Sequence, residues 1–242
     1  KPILLDNKEL ILALMEENQI DMGDTPIIDA WLPEEEARRA EFGDILWHKR
    51  QRRGLTQYDA RKLMRDRNYF GAMMVETGMA DAMISGLTRK YGAPIKPALD
   101  VIGVQDGVGR VAGLYMMITK KGPYFFADTT MTENPTAQQL ADIAVLTANT
   151  IKSFNITPRI AMLSFSNFGS AEGETPRKMQ EATKILHKNY PGLVVDGDIQ
   201  ANFAVNNELL KEQFPFSTLI DKDVNTFIFP NLAAGNIAYK LL

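Results

Sequence analysis

The sequence predicts an α/β fold arranged in two lobes, and three observations carry that expectation. Strand-like apolar runs alternate with helix-like periodic segments along most of the chain. One β-hairpin pattern, Val111–Ile118 and Tyr124–Phe126 around Lys120-Lys121-Gly122-Pro123, interrupts the alternation and marks a second lobe starting near residue 110. The 242 residues are 45% hydrophobic and 24% charged, ordinary for a chain that buries a core of this size.

The elements read in order as follows. Ile3–Leu5 is a short apolar run. Asp6-Asn7 then offers N-caps to a helix marked by Leu10, Ile11, Leu14 and Met15. Thr25–Trp31 reads as a strand. Pro33 opens a charged helix with Glu34/Arg38 and Glu35/Arg39 at i,i+4, running as far as Gly54, and Thr56 caps the next. Asn68–Gly78 is helical with Gly78 as its stop, Ala82–Ile84 reads as a short buried strand, and Pro94–Ile102 as a helix.

Past the hairpin, Thr136 and Gln139 have capping-box spacing at the head of a helix to Phe154, with Ile143, Leu146, Thr147, Thr150 and Ile151 on one face. Ile160–Leu163 is a buried strand. Thr175-Pro176 starts a helix bearing Met179, Ala182, Ile185 and Leu186. Leu193–Val195 and Thr226–Phe229 are further strands, and the chain ends within a helix-like stretch.

Composition narrows the function classes. A net charge of −3 argues against a nucleic-acid binder. The absence of cysteine rules out disulfides, thiolate metal sites and a cysteine nucleophile, and it suits a reducing cytoplasm. No apolar run approaches a membrane span, and the start Lys1–Leu5 does not read as a signal peptide, because no basic region precedes a long apolar stretch. Both ends read as cuts through a longer protein.

Several motifs carry little weight. Gly107–Ala112 fits G-x-G-x-x-[GA], but a strand-like run follows where a dinucleotide site needs a helix, so it reads as a turn. His48 and His187 lack partners at metal-ligand spacing, and no metal site is expected. The basic run His48–Arg53 reads as a solvated face. Asp128, Asp196 and Asp198 follow β-like runs, where a carboxylate more often caps a strand end than acts as a base.

Two loops are more informative. Ser85–Gly92 follows a strand and leads through cations towards a helix, so Arg89, Lys90 and Lys96 are candidate phosphate contacts. Ser164–Glu174 also links a strand to a helix, and its hydroxyls, amide and glycines could bring backbone N–H groups to an anion. A plain surface loop is the alternative for each. Together they favour a phosphate-rich ligand in a cleft between the lobes.

Several stretches resemble the phosphate acetyl/butyryltransferase family: Ala80–Gly86, Lys96-Pro97-Ala98-Leu99, Phe126-Ala127-Asp128, Asn134–Ala137, Pro158–Ser166, Val195-Asp196-Gly197 and Phe229–Lys240. Their order and spacing fit over nearly the whole chain. The resemblance implies an isocitrate dehydrogenase-like architecture with parallel or mixed sheets, an inter-lobe cleft and commonly a dimer. Lobe I would be residues 1–109 and lobe II 110–242, with a C-terminal return segment beyond the sequence.

In detail the chain looks like the phosphotransacetylase-like domain of bacterial hybrid NADP-dependent malic enzymes. Transferases usually carry His-Thr-Thr after Ser-Gly and an Arg before Pro-Ala-Leu, where Arg89-Lys90-Tyr91 and Lys96 stand here. Phe168 takes the place of a lysine, Thr129 that of a frequent cysteine, and Asn68–Val75 resembles the hybrid pattern. Phe229–Asn236 looks as much like a true transferase, and Lys240 matches a lysine near coenzyme A. The family's Asn-Asp-Leu-Ser-Arg-Gly motif would fall beyond Leu242.

The resemblance therefore implies an acetyl-CoA effector site at Arg89, Lys90, Lys96, Ser164, Ser166, Asn167, Ser170, Asn236 and Lys240, with no catalytic residue assigned. It implies no cofactor in this segment. An upstream malic enzyme domain would bring NADP and a divalent metal, and the whole would form a homo-oligomer without nucleic-acid or membrane partners. The alternative is an active phosphate acetyltransferase.

Overall fold

A computed structural model describes residues 1–86, 92–106 and 108–241. The chain falls into two compact units, Lys1–Val108 and Gly109–Leu242.

The first unit is mostly helical. Strand β1 (Leu4–Leu5) pairs in parallel with β2 (Ile27–Ile28), and α1 (Lys8–Glu17) lies between them in sequence, capped by Asn7, whose side chain accepts the Leu10 N–H. Pro33 opens a 3₁₀ turn that leads into α2 (Glu36–Arg50), and a second such turn ends at Gly54 with φ +85°. Helices α3 (Gln57–Leu63) and α4 (Arg67–Glu76) follow, N-capped by Thr56 and Asp66, and α5 spans Gly92–Val101. Their core is Phe42, Leu46, Met64, Phe70 and Met73, with the Phe42 and Phe70 rings 5.2 Å apart. Gly43 lets α2 lie directly on α3, since a Cβ there would come within 2.6 Å of Arg61 Cα.

The second unit is a five-stranded sheet covered on both faces. Strands β3 (Leu114–Thr119) and β4 (Gly122–Ala127) form the expected hairpin. Helix α6 (Ala137–Ser153), β5 (Arg159–Leu163), α7 (Glu174–Asn189), β6 (Val194–Ile199), α8 (Ala201–Ala204), α9 (Asn207–Gln213), β7 (Thr226–Ile228) and α10 (Leu232–Leu241) complete it. The strand order is β3-β4-β7-β5-β6, parallel except for the hairpin. Because strand side chains alternate, Ile160 and Met162 face α6 and α7 while Ala161 and Leu163 face the layer containing α9 and α10. Burial on both sides explains the nearly continuous apolar runs of these strands. The α6 capping box is complete, with Thr136 and Gln139 each bonding the other's backbone.

Some expectations change. Ala82–Ile84 is neither strand nor buried: Ile84 is fully exposed, and among the described residues no strand pairs with it. Thr25–Trp31 supplies only two strand residues. Helix α7 begins at Glu174 on a Gly173 cap rather than at Thr175-Pro176, and β6 extends to Ile199. On α6, Thr150 is exposed, and Ala144 and Ala148 fill the buried stripe instead. The basic run that begins in the last turn of α2 is not wholly solvated. Lys49 donates to Val101 O at 2.8 Å, and Arg50 donates to Asp100 O at 2.7 Å and to Leu99 O. These cations satisfy the free carbonyls at the α5 C-terminus.

Candidate functional site

In the second unit β4, β7, β5 and β6 run parallel, so their C-terminal ends share one edge of the sheet. Open α/β sheets bind ligands at that edge. Asp128 leaves β4 there, the Ser164 loop leaves β5, Asp198 is the penultimate residue of β6, and Asn231 starts the turn into α10.

Asp128 is buried, and its carboxylate accepts four backbone N–H groups. Oδ1 takes Gly113, Thr130 and Met131 at 3.0, 2.9 and 3.0 Å, and Oδ2 takes Thr132 at 2.9 Å. Asp196 accepts the Ser217 hydroxyl at 2.9 Å and the Thr218 N–H at 2.8 Å. Asp128 acts as a cap where its strand ends, as its position suggested, whereas Asp196 lies inside β6 and anchors the distant Ser217-Thr218 turn. Asp198 differs. It occupies a bulge, because the β5–β6 register shifts between Met162 and Leu163. Gly197 permits this with φ +145°, where a Cβ would meet Met162 O at 2.5 Å. Asp198 Oδ1 accepts the Gly169 N–H at 3.1 Å, while its buried Oδ2 has no partner among the described residues.

The Ser164 loop is held almost entirely by its own polar groups and by the end of β6. Ser164 Oγ accepts Ser166 N–H (3.2 Å), Ser170 Oγ accepts Asn167 N–H (2.9 Å), and Ser166 Oγ accepts Ala171 N–H (3.1 Å). Phe168 N–H donates to Asp198 O, Gln200 N–H to Asn167 Oδ1, and Ser164 N–H to Ile199 O. This corrects the expectation of an anion nest, because the N–H groups of residues 166–171 donate within the protein. Ser166 and Asn167 are buried and shape the loop, while Ser170 stands at its exposed tip.

Asn236 on α10 donates to Thr129 O at 3.2 Å, fixing the helix to the Asp128 turn. Lys240 is exposed in the last turn, its ammonium 5.7 Å from the Tyr239 ring centre. Tyr239 stacks on Tyr115 of β3 at 4.0 Å.

In the first unit Lys96 projects from α5. Its ammonium donates to Asp100 Oδ2 at 2.5 Å and to Tyr69 Oη at 3.1 Å, and Tyr69 donates to Asp100 Oδ2 at 2.7 Å. Hydrogen bonding to Asp100 and then to Tyr69 raises the Lys96 pKa. Burial, followed by the Asp100 bond, raises that of Tyr69. For Asp100, burial pushes upward, but the bonds from Lys96 and Tyr69 outweigh it and the carboxyl lies below its ordinary range.

Arg89 and Lys90 lie outside the described residues. The Lys96–Asp100 contact is visible in the sequence as an i,i+4 pair, whereas nothing local to Tyr69 announces its role. No group of three or more His, Cys, Asp or Glu among the described residues could hold a metal ion. No helix among them is long and apolar enough to cross a membrane.

The family model described as phosphate acetyl/butaryl transferase matches residues 1–242. A phosphate acetyltransferase of Bacillus subtilis (strain 168) is 37% identical over 242 residues, covering 99% of this chain and 73% of that protein. One from Helicobacter pylori is 36% identical over 98% of this chain and 45% of its own length. Among solved structures, the EutD phosphotransacetylase from Staphylococcus aureus superposes with a TM-score of 0.84 at 32% identity, covering 100% of this chain and 73% of that one. A phosphotransacetylase from Streptococcus pyogenes gives 0.83 at 37% identity, covering 100% and 72%.

Proposed function

The chain belongs to the phosphate acetyl/butaryl transferase family, and from that premise we propose that it binds acetyl-CoA and moves the acetyl group between coenzyme A and inorganic phosphate. The observation that carries this reading is the similarity along the whole chain to proteins named for that activity. In the reaction a phosphate oxygen attacks the thioester carbonyl, the C–S bond breaks, and coenzyme A leaves as a thiolate that then takes up a proton. Attack brings anionic phosphate onto a carbonyl that itself gains negative charge, so cations around the reacting groups lower the barrier. Lys96 is proposed to meet phosphate oxygens, with Arg89 and Lys90 assigned alongside it by resemblance. Lys240 and Asn236 are proposed to contact coenzyme A, and the Ser164 loop to shape the sheet edge that receives it. A homo-oligomer in the cytoplasm is part of the same proposal.

A second reading has one observation in its favour. Phe168, at a position where the resemblance places a lysine in transferases, packs on Phe214 and Phe216 at 5.1 and 4.9 Å, so the loop offers an aromatic ring there rather than a cation. Coenzyme A binding with altered chemistry would suit an acetyl-CoA effector module of a hybrid NADP-dependent malic enzyme. The experiment is acetyl phosphate formation from acetyl-CoA and phosphate by the purified protein, alongside malate-dependent NADP⁺ reduction by the full-length parent with and without acetyl-CoA. Acetyl phosphate formation supports the transferase. Its absence, together with malate oxidation that responds to acetyl-CoA, replaces the transferase with the effector module.

A further inference from the structure

A pocket of about 600 Å³ opens at the opposite edge of the second unit's sheet from Asp128 and Asp198. There the parallel strands begin: Tyr124 stands near the start of β4, Arg159 opens β5 and Asn225 precedes β7. The floor is apolar. Leu210 of α9, Leu219 and Val224 are buried, and Tyr124 stands edge-on to Phe227 with 5.6 Å between ring centres. The rim is cationic. Lys121, Arg159 and Lys222 line it beside one carboxylate, Asp223, so three positive charges and one negative leave +2. Among the described residues none of the three cations forms an ion pair. Neither ammonium has a hydrogen-bond partner there, and Arg159 uses only its Nε, which donates to Asp223 O. Like charges gathered without partners repel one another, and an anion between them relieves that repulsion.

The pocket is built in advance. Asn225 is buried, and its Oδ1 accepts the Arg159 N–H and the Thr226 hydroxyl, both at 2.9 Å, while its Nδ2 donates to Thr157 O at 2.9 Å. Its backbone N–H donates to Arg159 O at 3.2 Å, and its carbonyl accepts the Phe125 N–H at 2.7 Å. One residue thus ties the starts of β4, β5 and β7. Asn207 Oδ1 takes the Asp221 N–H at 2.9 Å, which holds the segment before Val224 to α9. A ligand entering such a pocket meets walls that need no ordering. We propose that this pocket is a second binding site, for an organic phosphate monoester: the dianionic phosphate among Lys121, Arg159 and Lys222, and its apolar or aromatic body on Leu210, Leu219 and Tyr124. The Arg159 guanidinium keeps both terminal nitrogens open among the described residues, and that fork matches two phosphate oxygens. Two negative charges balance the net +2, and the floor supplies apolar area that a bare anion would leave unused. The site stands apart from the Ser164 loop and does not depend on the acetyl-transfer reading.

Isothermal titration of the purified protein with phenyl phosphate, inorganic phosphate and benzoate tests this, at about pH 8 where the monoester is dianionic. Phenyl phosphate should bind about tenfold tighter than either of the others, because burial of its ring adds to the phosphate contact. Lys121→Ala and Lys222→Ala, both at exposed positions, should each weaken it about two- to fivefold. Val205→Asp sets a carboxylate on an exposed residue of the lining and should weaken it about tenfold or more. Inorganic phosphate or benzoate binding as tightly as phenyl phosphate would overturn the ligand class. Phenyl phosphate binding that ignores all three variants would belong to another place on the protein and overturn the site, as would no binding at all.

Discussion

Replacing Asp128 by asparagine removes one negative charge and turns one acceptor oxygen into a donor, with almost no change of shape. Three N–H groups converge on Oδ1 and one on Oδ2. The better orientation of the new amide keeps its oxygen among Gly113, Thr130 and Met131, and its NH₂ then faces the Thr132 N–H. That bond is lost, and donor confronts donor. A hydrogen bond to a charged group contributes ~1.5–3 kcal/mol and a neutral one ~0.5–1.5. Losing one costs ~2 kcal/mol and weakening three adds ~1 kcal/mol each, about 5 kcal/mol together. For a chain of this length 1 kcal/mol moves Tm by ~2–4 °C, so the melting temperature should fall by about 10–20 °C. Differential scanning calorimetry of Asp128→Asn against the parent measures this directly. A drop below about 2 °C would refute the account of the carboxylate as the organiser of this turn.

Two further outcomes follow from the first unit. Gly43→Ala drives a methyl group to 2.6 Å from Arg61 Cα and 2.9 Å from its backbone nitrogen, so α2 and α3 must separate. The overpacking cost is ~1–3 kcal/mol, read as a lower urea midpoint. Asp44, held by Arg61 through two 2.8 Å bonds and by Gln57 at 2.9 Å, has its carboxyl lowered from 3.8 to about 2, the Arg61 hydrogen bond being the largest cause. A depressed carboxyl stabilises the fold above its unfolded pKa and loses that contribution as pH falls through the folded value. Unfolding midpoints of the parent and Asp44→Asn should therefore differ above about pH 4 and converge towards pH 2, and high salt should shrink the difference because the pair is exposed.

The sequence carried the framework where local chemistry decides the element. Capping at Asn7, Thr56 and Thr136, the hairpin around Lys120-Lys121, and the double-sided burial of Ile160–Leu163 are all written within a few residues. What escaped depends on distant partners. Ala82–Ile84 has strand composition but, among the described residues, no strand to pair with, and composition cannot supply one. Lys49 and Arg50 look like a solvated charge run until α5 places its carbonyls beside them, some fifty residues on. The Ser164 loop sits at a strand end, as its sequence implies, yet its N–H groups turn inward because Asp198 and the loop's own hydroxyls reach them first. For Lys96, the helical spacing to Asp100 was legible, while Tyr69 joins only through the packing of α4 against α5.

The central position of β7 bears on how this chain is made. Residues 226–228 lie between β4 and β5, so synthesis delivers both flanking strands before the one that joins them. About sixty residues separate the end of β5 from β7, several seconds of elongation at ~5–20 residues per second. During that interval Phe125, Phe126, Ile160 and Met162 belong to strands whose inner edges have no partner. Unpaired edges are templates for another chain. The nascent protein, rather than the finished one, is therefore most exposed to intermolecular pairing, and the danger passes when Thr226–Ile228 fills the slot.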